Sequence, residues 1–247
     1  VKEKKADALL SAGNTGALLA SGLLVVGRMK GIDRPGLMPV LPTFNPESPH
    51  LILADAGANA DCKPNNLYQF AVLASFYAKA MFGIANPRVG LINNGTEETK
   101  GNELTKAAFP LLKEATELNF VGNVEAKELL QGVCDIAITD GFTGNAILKS
   151  LEGTSKSIFK AIKNQLLNSG FKAKLGGLLI KNALSDLKDQ FDDTKEGGAI
   201  LLGVQAPVIK AHGSSNEEAI FNAIRQANKI LTSNVVEEIA NHFRSLS

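Results

Sequence analysis

The sequence predicts an α/β fold in which a mostly parallel sheet is covered by helices on both faces, a three-layer αβα arrangement. Three observations predict it. Apolar runs of strand length alternate with longer segments of helical periodicity almost throughout. Polar residues and glycines collect where strands hand over to helices. The 247 residues, 45% hydrophobic and 21% charged, suffice for one large core.

The elements follow in order. A short apolar strand is expected over 6–10 and a mostly apolar helix over 16–29. The run 8–27 carries no charge, but Ser11, Asn14, Thr15 and Ser21 interrupt it, which fits a buried strand and helix better than a membrane span. Residues 37–44 contain Pro39 and Pro42 and read as an edge strand. A buried strand over 50–54 precedes a helix over 65–82, opened near Pro64. Strands over 88–92, 120–122 and 135–139 alternate with helices over 102–115, 126–131 and 143–168. A purely helical stretch over 172–191, containing Gly176 and Gly177, forms a small lobe within 169–195. Strands over 199–204 and 207–211 and a last helix over 216–243 complete a single α/β catalytic domain over 1–247. The opening Val1-Lys2-Glu3-Lys4-Lys5 reads as the end of an exposed helix, so the chain is expected to be the C-terminal portion of a longer protein.

Composition removes several function classes. Twenty-six basic residues balance 25 acidic ones for a net charge of +1, with no Trp and only two Tyr. That leaves neither a basic footprint nor stacking platforms for nucleic acid. Cys62 and Cys134, and His50, His212 and His242, have no metal-ligand spacing. They read as reduced thiols and isolated imidazoles of a cytoplasmic protein. Neither a Walker-type phosphate loop nor a G-x-G-x-x-G fingerprint occurs, and there is no G-x-S-x-G elbow. His212 with Asp55 or Asp140 and Ser11 leaves a dispersed triad open.

The chemistry-bearing residues lie at five junctions: SAGNTG at 11–16, DAGAN at 55–59, EETKGN at 97–102, DGFTGN at 140–145 and KAHGSSN at 210–216. In a parallel sheet these junctions share the carboxyl edge, where ligands bind at a switch point. Helix N-termini offer free N–H groups there, and Gly, Ser, Thr and Asn add close approach and donors. This is chemistry for an oxyanion such as phosphate. Each junction taken singly reads better as an N-cap with a tight turn, and it is the five together that outweigh that reading.

In the order and spacing of these five motifs the chain resembles the phosphate acyltransferases of bacterial phospholipid synthesis, the PlsX family. The Asp-Ala-Met-Gly-Gly-Asp motif that family members carry near their N-terminus is absent. The resemblance implies acyl transfer from acyl-acyl carrier protein to inorganic phosphate, giving acyl phosphate. It implies a fold similar to the isocitrate and isopropylmalate dehydrogenases, a homodimer, and no metal or other cofactor. A thioester carries a good leaving group and phosphate is already an anionic nucleophile, so positioning and charge stabilisation suffice.

On this reading Lys100, Asn145 and His212 are the catalytic candidates. Lys100 balances the phosphate charge or stabilises the developing oxyanion, Asn145 donates to the thioester oxygen, and His212 hands a proton to the leaving thiol or makes a structural hydrogen bond. Ser11, Gly13, Asn14, Thr15, Gly16, Asp55, Asn59, Asn102, Asp140, Gly141, Thr143, Gly144, Ser214 and Asn216 are candidates for holding phosphate or shaping its site. Asp55 and Asp140 are expected to cap helices or orient neighbours, because carboxylates repel phosphate.

In the lobe, Leu175, Leu178, Leu179 and Leu187 alternate with Lys172, Lys174, Lys181 and Lys188. This pattern suits transient contact with an anionic membrane at the inner face, through Leu178 and Leu179, or packing in a dimer. A phosphotransacetylase-like acyl-CoA:phosphate transferase and a non-catalytic membrane-surface scaffold are the competing readings.

Overall fold

A computed structural model describes residues 1–190, 197–213 and 215–245, with only the backbone of Gln190. Nine strands and eight α-helices are found among the described residues. Where apolar side chains alternate along a strand they settle on opposite faces of the sheet. In β4 (His50–Ala54), Ile52 and Ala54 join the larger core while Leu51 and Leu53 join a second core on the other face. In β7 (Ile136–Ile138), Ile136 and Ile138 face the first and Ala137 the second. Helices therefore cover both faces.

The first face carries α2 (Pro64–Phe82), α3 (Glu103–Glu114), α7 (Glu217–Thr232) and α8 (Val235–Ser245). Helix α2 is apolar nearly all round and buries Leu67, Phe70, Leu73 and Tyr77, as expected for a helix enclosed by others. It opens with Pro64, and Gly83 ends it in the left-handed region at φ 69°. The other face carries α4 (Gly141–Asn168), whose Ile147 and Leu148 pack on the second core.

The strands form two sheets. One has the order β1 (Leu9–Ser11), β9 (Val208–Lys210), β8 (Ala199–Leu202), β2 (Gly36–Met38). The other has the order β3 (Val40–Pro42), β4, β7, β5 (Arg88–Asn93), β6 (Asn119–Glu125). In the second sheet every pair is parallel except β3 with β4. In the first only β1 and β9 are parallel.

The segment expected as an edge strand forms two of them, β2 at the edge of the first sheet and β3 at the edge of the second. β2 pairs with β8, β3 pairs with β4, and Pro39 sits at the handover, where its carbonyl accepts from Leu53 N at 3.1 Å. A residue without an N–H is tolerated at such a break between ladders.

The single long helix expected over 16–29 is α1 (Thr15–Ser21) followed by a π-helical stretch, Gly22–Gly27. The closing helix breaks at Asn234, in the left-handed region at φ 58°, into α7 and α8. The lobe is two helices, α5 (Phe171–Leu179) and α6 (Lys181–Gln190). Residues 191–195 of the expected lobe lie outside the described residues.

Candidate functional site

The expectation that all five junctions share one edge needs correction. β9 runs antiparallel to β8, β8 to β2, and β3, which continues β2, to β4. β1 and β9 therefore run opposite to β4, β5 and β7. The junctions divide into two opposed groups, and a cleft between them holds residues from both.

The group at the ends of β4 and β7 is a brace. Asp55 is fully buried. Its Oδ1 accepts from Leu37 N (2.9 Å) and Ala58 N (3.0 Å), its Oδ2 from Asn59 N (2.7 Å) and Asn59 Nδ2 (2.8 Å). Burial pushes the Asp55 pKa up, while these four donors favour the charged form. Asn59 Nδ2 also donates to Pro35 O at 2.8 Å, and Gly141 N donates to Asn59 O at 2.8 Å.

The first turn of α4 presses directly on this loop. A Cβ on Gly141 would stand 2.6 Å from Asn59 O, and one on Gly144 1.9 Å from Asp55 O. These glycines serve contact between protein backbones. Asp140 caps α4, accepting from Thr143 N and Thr143 Oγ1, both at 2.8 Å. Both oxygens of Asp55 and both of Asp140 are thus engaged by the protein itself.

The opposed group joins β1 and β9. Ala211 N donates to Ser11 O at 3.0 Å, and Ser11 Oγ accepts from Gly13 N at 3.1 Å. Asn14 caps α1 through Ala17 N at 3.0 Å, and Gly16 lies against the Asn14 side chain. Asn216 caps α7 through Ala219 N at 2.9 Å. Ser214 lies outside the described residues.

The remaining junction, 93–102, stands beside the brace at the end of β5. Asn93 Nδ2 donates to Lys100 O at 3.1 Å, and Asn102 caps α3 through Thr105 N at 2.9 Å. Lys100 is exposed, and no residue of 93–102 lines the cleft described next.

That cleft has a volume of about 180 Å³. Of the sequence candidates it brings together Thr15, Asn145 and His212. Sequence reasoning missed Lys149, Glu152, Lys210 and Ser215, which also line it. Lys149 and Glu152 follow Asn145 by four and seven positions on α4, a spacing that puts all three on one helix face; that signal was available. Lys210 stood in the KAHGSSN run.

Lys149 Nζ pairs with Glu152 Oε2 at 2.7 Å, and Lys210 Nζ donates to Ala211 O at 2.6 Å. Burial and the facing Lys149 ammonium both lower the Lys210 pKa. Two cations lining one cleft suit an anion there. Burial pushes the Cys62 thiol up to about 11 and Cys134 to about 12, so neither supplies a thiolate. Among the described residues, no three of His, Cys, Asp and Glu are grouped to hold a metal ion.

The fold is similar to that of solved phosphotransacetylases. A phosphotransacetylase from Streptococcus pyogenes superposes with a TM-score of 0.58 at 20% identity, over 96% of this chain and 65% of that one. EutD phosphotransacetylase from Staphylococcus aureus gives 0.56 at 17% identity, over 93% of this chain and 64% of that one. Sequence is more specific. The chain belongs to the family described as "Fatty acid synthesis protein", which matches residues 1–238. It is 52% identical to the phosphate acyltransferase of Pediococcus pentosaceus and 54% identical to that of Enterococcus faecalis. Each match covers 98% of this chain, with 70% and 73% of the respective relative.

Proposed function

We propose that this chain carries the catalytic core of an enzyme that transfers a fatty acyl group from acyl-acyl carrier protein to inorganic phosphate, for phospholipid synthesis. The observation that carries the reading is the cleft lined by Lys149 and Lys210 together with Asn145 and His212. Family membership supplies the acyl and phosphate chemistry.

A phosphate oxygen attacks the thioester carbonyl, a C–O bond forms, the C–S bond breaks, and the carrier protein leaves as its thiol. Lys149 and Lys210 hold the phosphate, with Thr15 and Ser215 as hydroxyl donors. Asn145 donates to the carbonyl oxygen as it gains charge. His212 takes up the proton that the hydrogen phosphate gives up and passes it to the leaving sulfur. Lys100 adds a cation from the neighbouring junction at the donor's end. Asp55, Asn59, Asp140, Gly141 and Gly144 hold the first turn of α4, and so Asn145, in place. Ser11, Gly13, Asn14, Gly16, Asn102, Thr143 and Asn216 shape the surrounding turns and caps.

Three further expectations belong to this reading: an arrangement similar to the isocitrate and isopropylmalate dehydrogenases, a homodimer, and transient contact of α5 and α6 with an anionic membrane. The last is supported by the exposure of Phe171, Leu178 and Leu179, at 80%, 67% and 79%, among exposed lysines. No helix among the described residues is long and apolar enough to cross a membrane.

The test uses the full-length protein with acyl-acyl carrier protein, with and without phosphate, trapping acyl phosphate as the hydroxamate. Phosphate-dependent hydroxamate is the expected result. The fold neighbours favour one second reading, transfer from coenzyme A thioesters. Turnover of those thioesters alone would establish it and remove the carrier protein as donor.

A further inference from the structure

The cleft has a second wall that the transfer of charge does not use. Besides its polar residues it is lined by Leu37, Val40, Leu41, Leu130, Leu148 and Leu151. Helix α4 shows both characters side by side. Asn145, Lys149 and Glu152 form one stripe, and Leu148 and Leu151, three positions apart, form the next. Across the cleft the β2–β3 segment supplies Leu37, Val40 and Leu41, and the short helical turn Ala126–Gln131 supplies Leu130. Leu41, Leu130, Leu148 and Leu151 are only half-buried, although Leu41 and Leu148 border the second core. A concave apolar wall beside a few polar groups is the usual form of a small-molecule site.

We propose that this leucine wall holds the acyl chain of the donor, so that these residues decide which acyl groups are transferred. The proposal rests on the acyltransferase reading above and adds a subsite to it. The occupant follows from the shape and chemistry of the cleft. At about 180 Å³ it is far too small for a helix, which is roughly 10 Å across. It is close to an aliphatic cavity of about 150 Å³, which admits benzene. A narrow hydrocarbon chain fits. The carbonyl then lies where the two stripes of α4 meet, next to Asn145, with the anion on the lysine side and the chain on the leucine side. One amphiphilic substrate matches both walls, whereas phosphate alone leaves the leucines uncovered.

The experiment measures kcat/KM of the full-length protein for acetyl, octanoyl and palmitoyl thioesters of acyl carrier protein, before and after Leu148→Phe and Leu151→Phe. Narrowing the wall should lower the palmitoyl-to-acetyl ratio of kcat/KM by about tenfold or more, the discrimination that a few methylenes in an apolar pocket supply. In the unmodified protein, palmitate should inhibit in competition with the donor. An unchanged ratio in variants whose circular dichroism is native overturns the proposal, and so does palmitate inhibition that competes with phosphate alone. If neither variant folds, the competition measurement decides. Failure of the unmodified protein to make acyl phosphate from any donor instead overturns the acyltransferase reading itself.

Discussion

Two glycines of one helix show how a single residue decides whether α4 can begin where it does. Gly144 has no room for a side chain, because a Cβ there would lie 1.9 Å from Asp55 O; Gly153, two and a half turns later, has nothing within 4 Å. Gly144→Ala should destabilise the protein by about 3 kcal/mol through overpacking against backbone. Gly153→Ala should stabilise it by about 0.5–1 kcal/mol through helix propensity. Urea denaturation of both variants checks the pair. Equal effects would mean that α4 does not seat on the 55–59 loop as described.

The lysines separate in the same way. Lys210→Gln should raise the KM for phosphate about tenfold, the scale of one hydrogen bond to a charged group. Lys100→Ala should lower kcat more than it moves that KM. A phosphate KM unchanged by Lys210→Gln would remove the lysine pair from phosphate binding.

At the scale of the element, β5 and β7 are joined at their starts by a charged link. Arg88 NH2 lies 2.9 Å from Asp135 Oδ1, Arg88 Nε 3.2 Å from Asp135 Oδ2, and Ser48 Oγ donates to Oδ1 at 2.6 Å. Burial alone would raise the Asp135 pKa. The Arg88 guanidinium, the Ser48 hydroxyl and Arg88 N together hold it below the ordinary 3.8.

A carboxyl depressed in the folded state adds stability above its unfolded pKa, and that stability is lost as pH falls through the folded value. Asp135→Asn should therefore cost about 2 kcal/mol at neutral pH. The gap to the unmodified protein should narrow steadily below about pH 4. Unfolding curves across that range test it, and a gap independent of pH would show that the carboxylate charge is not what the link uses.

For the molecule as a whole, the question is what covers the lobe. Leu178 and Leu179 are exposed, stand apart from the cleft, and share α5 with Lys172 and Lys174. Attraction of basic residues to anionic lipid adds about 1 kcal/mol each near the surface. Combined Leu178→Glu and Leu179→Glu should abolish binding to anionic vesicles and leave transfer in solution largely intact, and salt should weaken binding of the unmodified protein. Dissociation of a dimer by the same substitutions, seen by analytical ultracentrifugation, would assign the lobe to subunit contact and end the membrane reading.

The sequence by itself determined the order of strands and helices, because periodicity and caps are local. The alternation in β4, and the Asn or Asp that caps α1, α3, α4 and α7, were readable from neighbours a few positions apart. It also determined the family, through five motifs whose order and spacing span the chain. Only the tertiary structure decided strand direction and the membership of the cleft. Hydrogen-bond ladders over long separations divided 36–42 between the edges of the two sheets and turned β1 and β9 against β4, β5 and β7. Nothing local in a strand encodes the direction of its partner. For the same reason, the DGFTGN glycines read as an anion cradle until packing showed them pressed on Asp55 and Asn59. Lys149 and Lys210, 61 positions apart, came to line one cleft only through the fold.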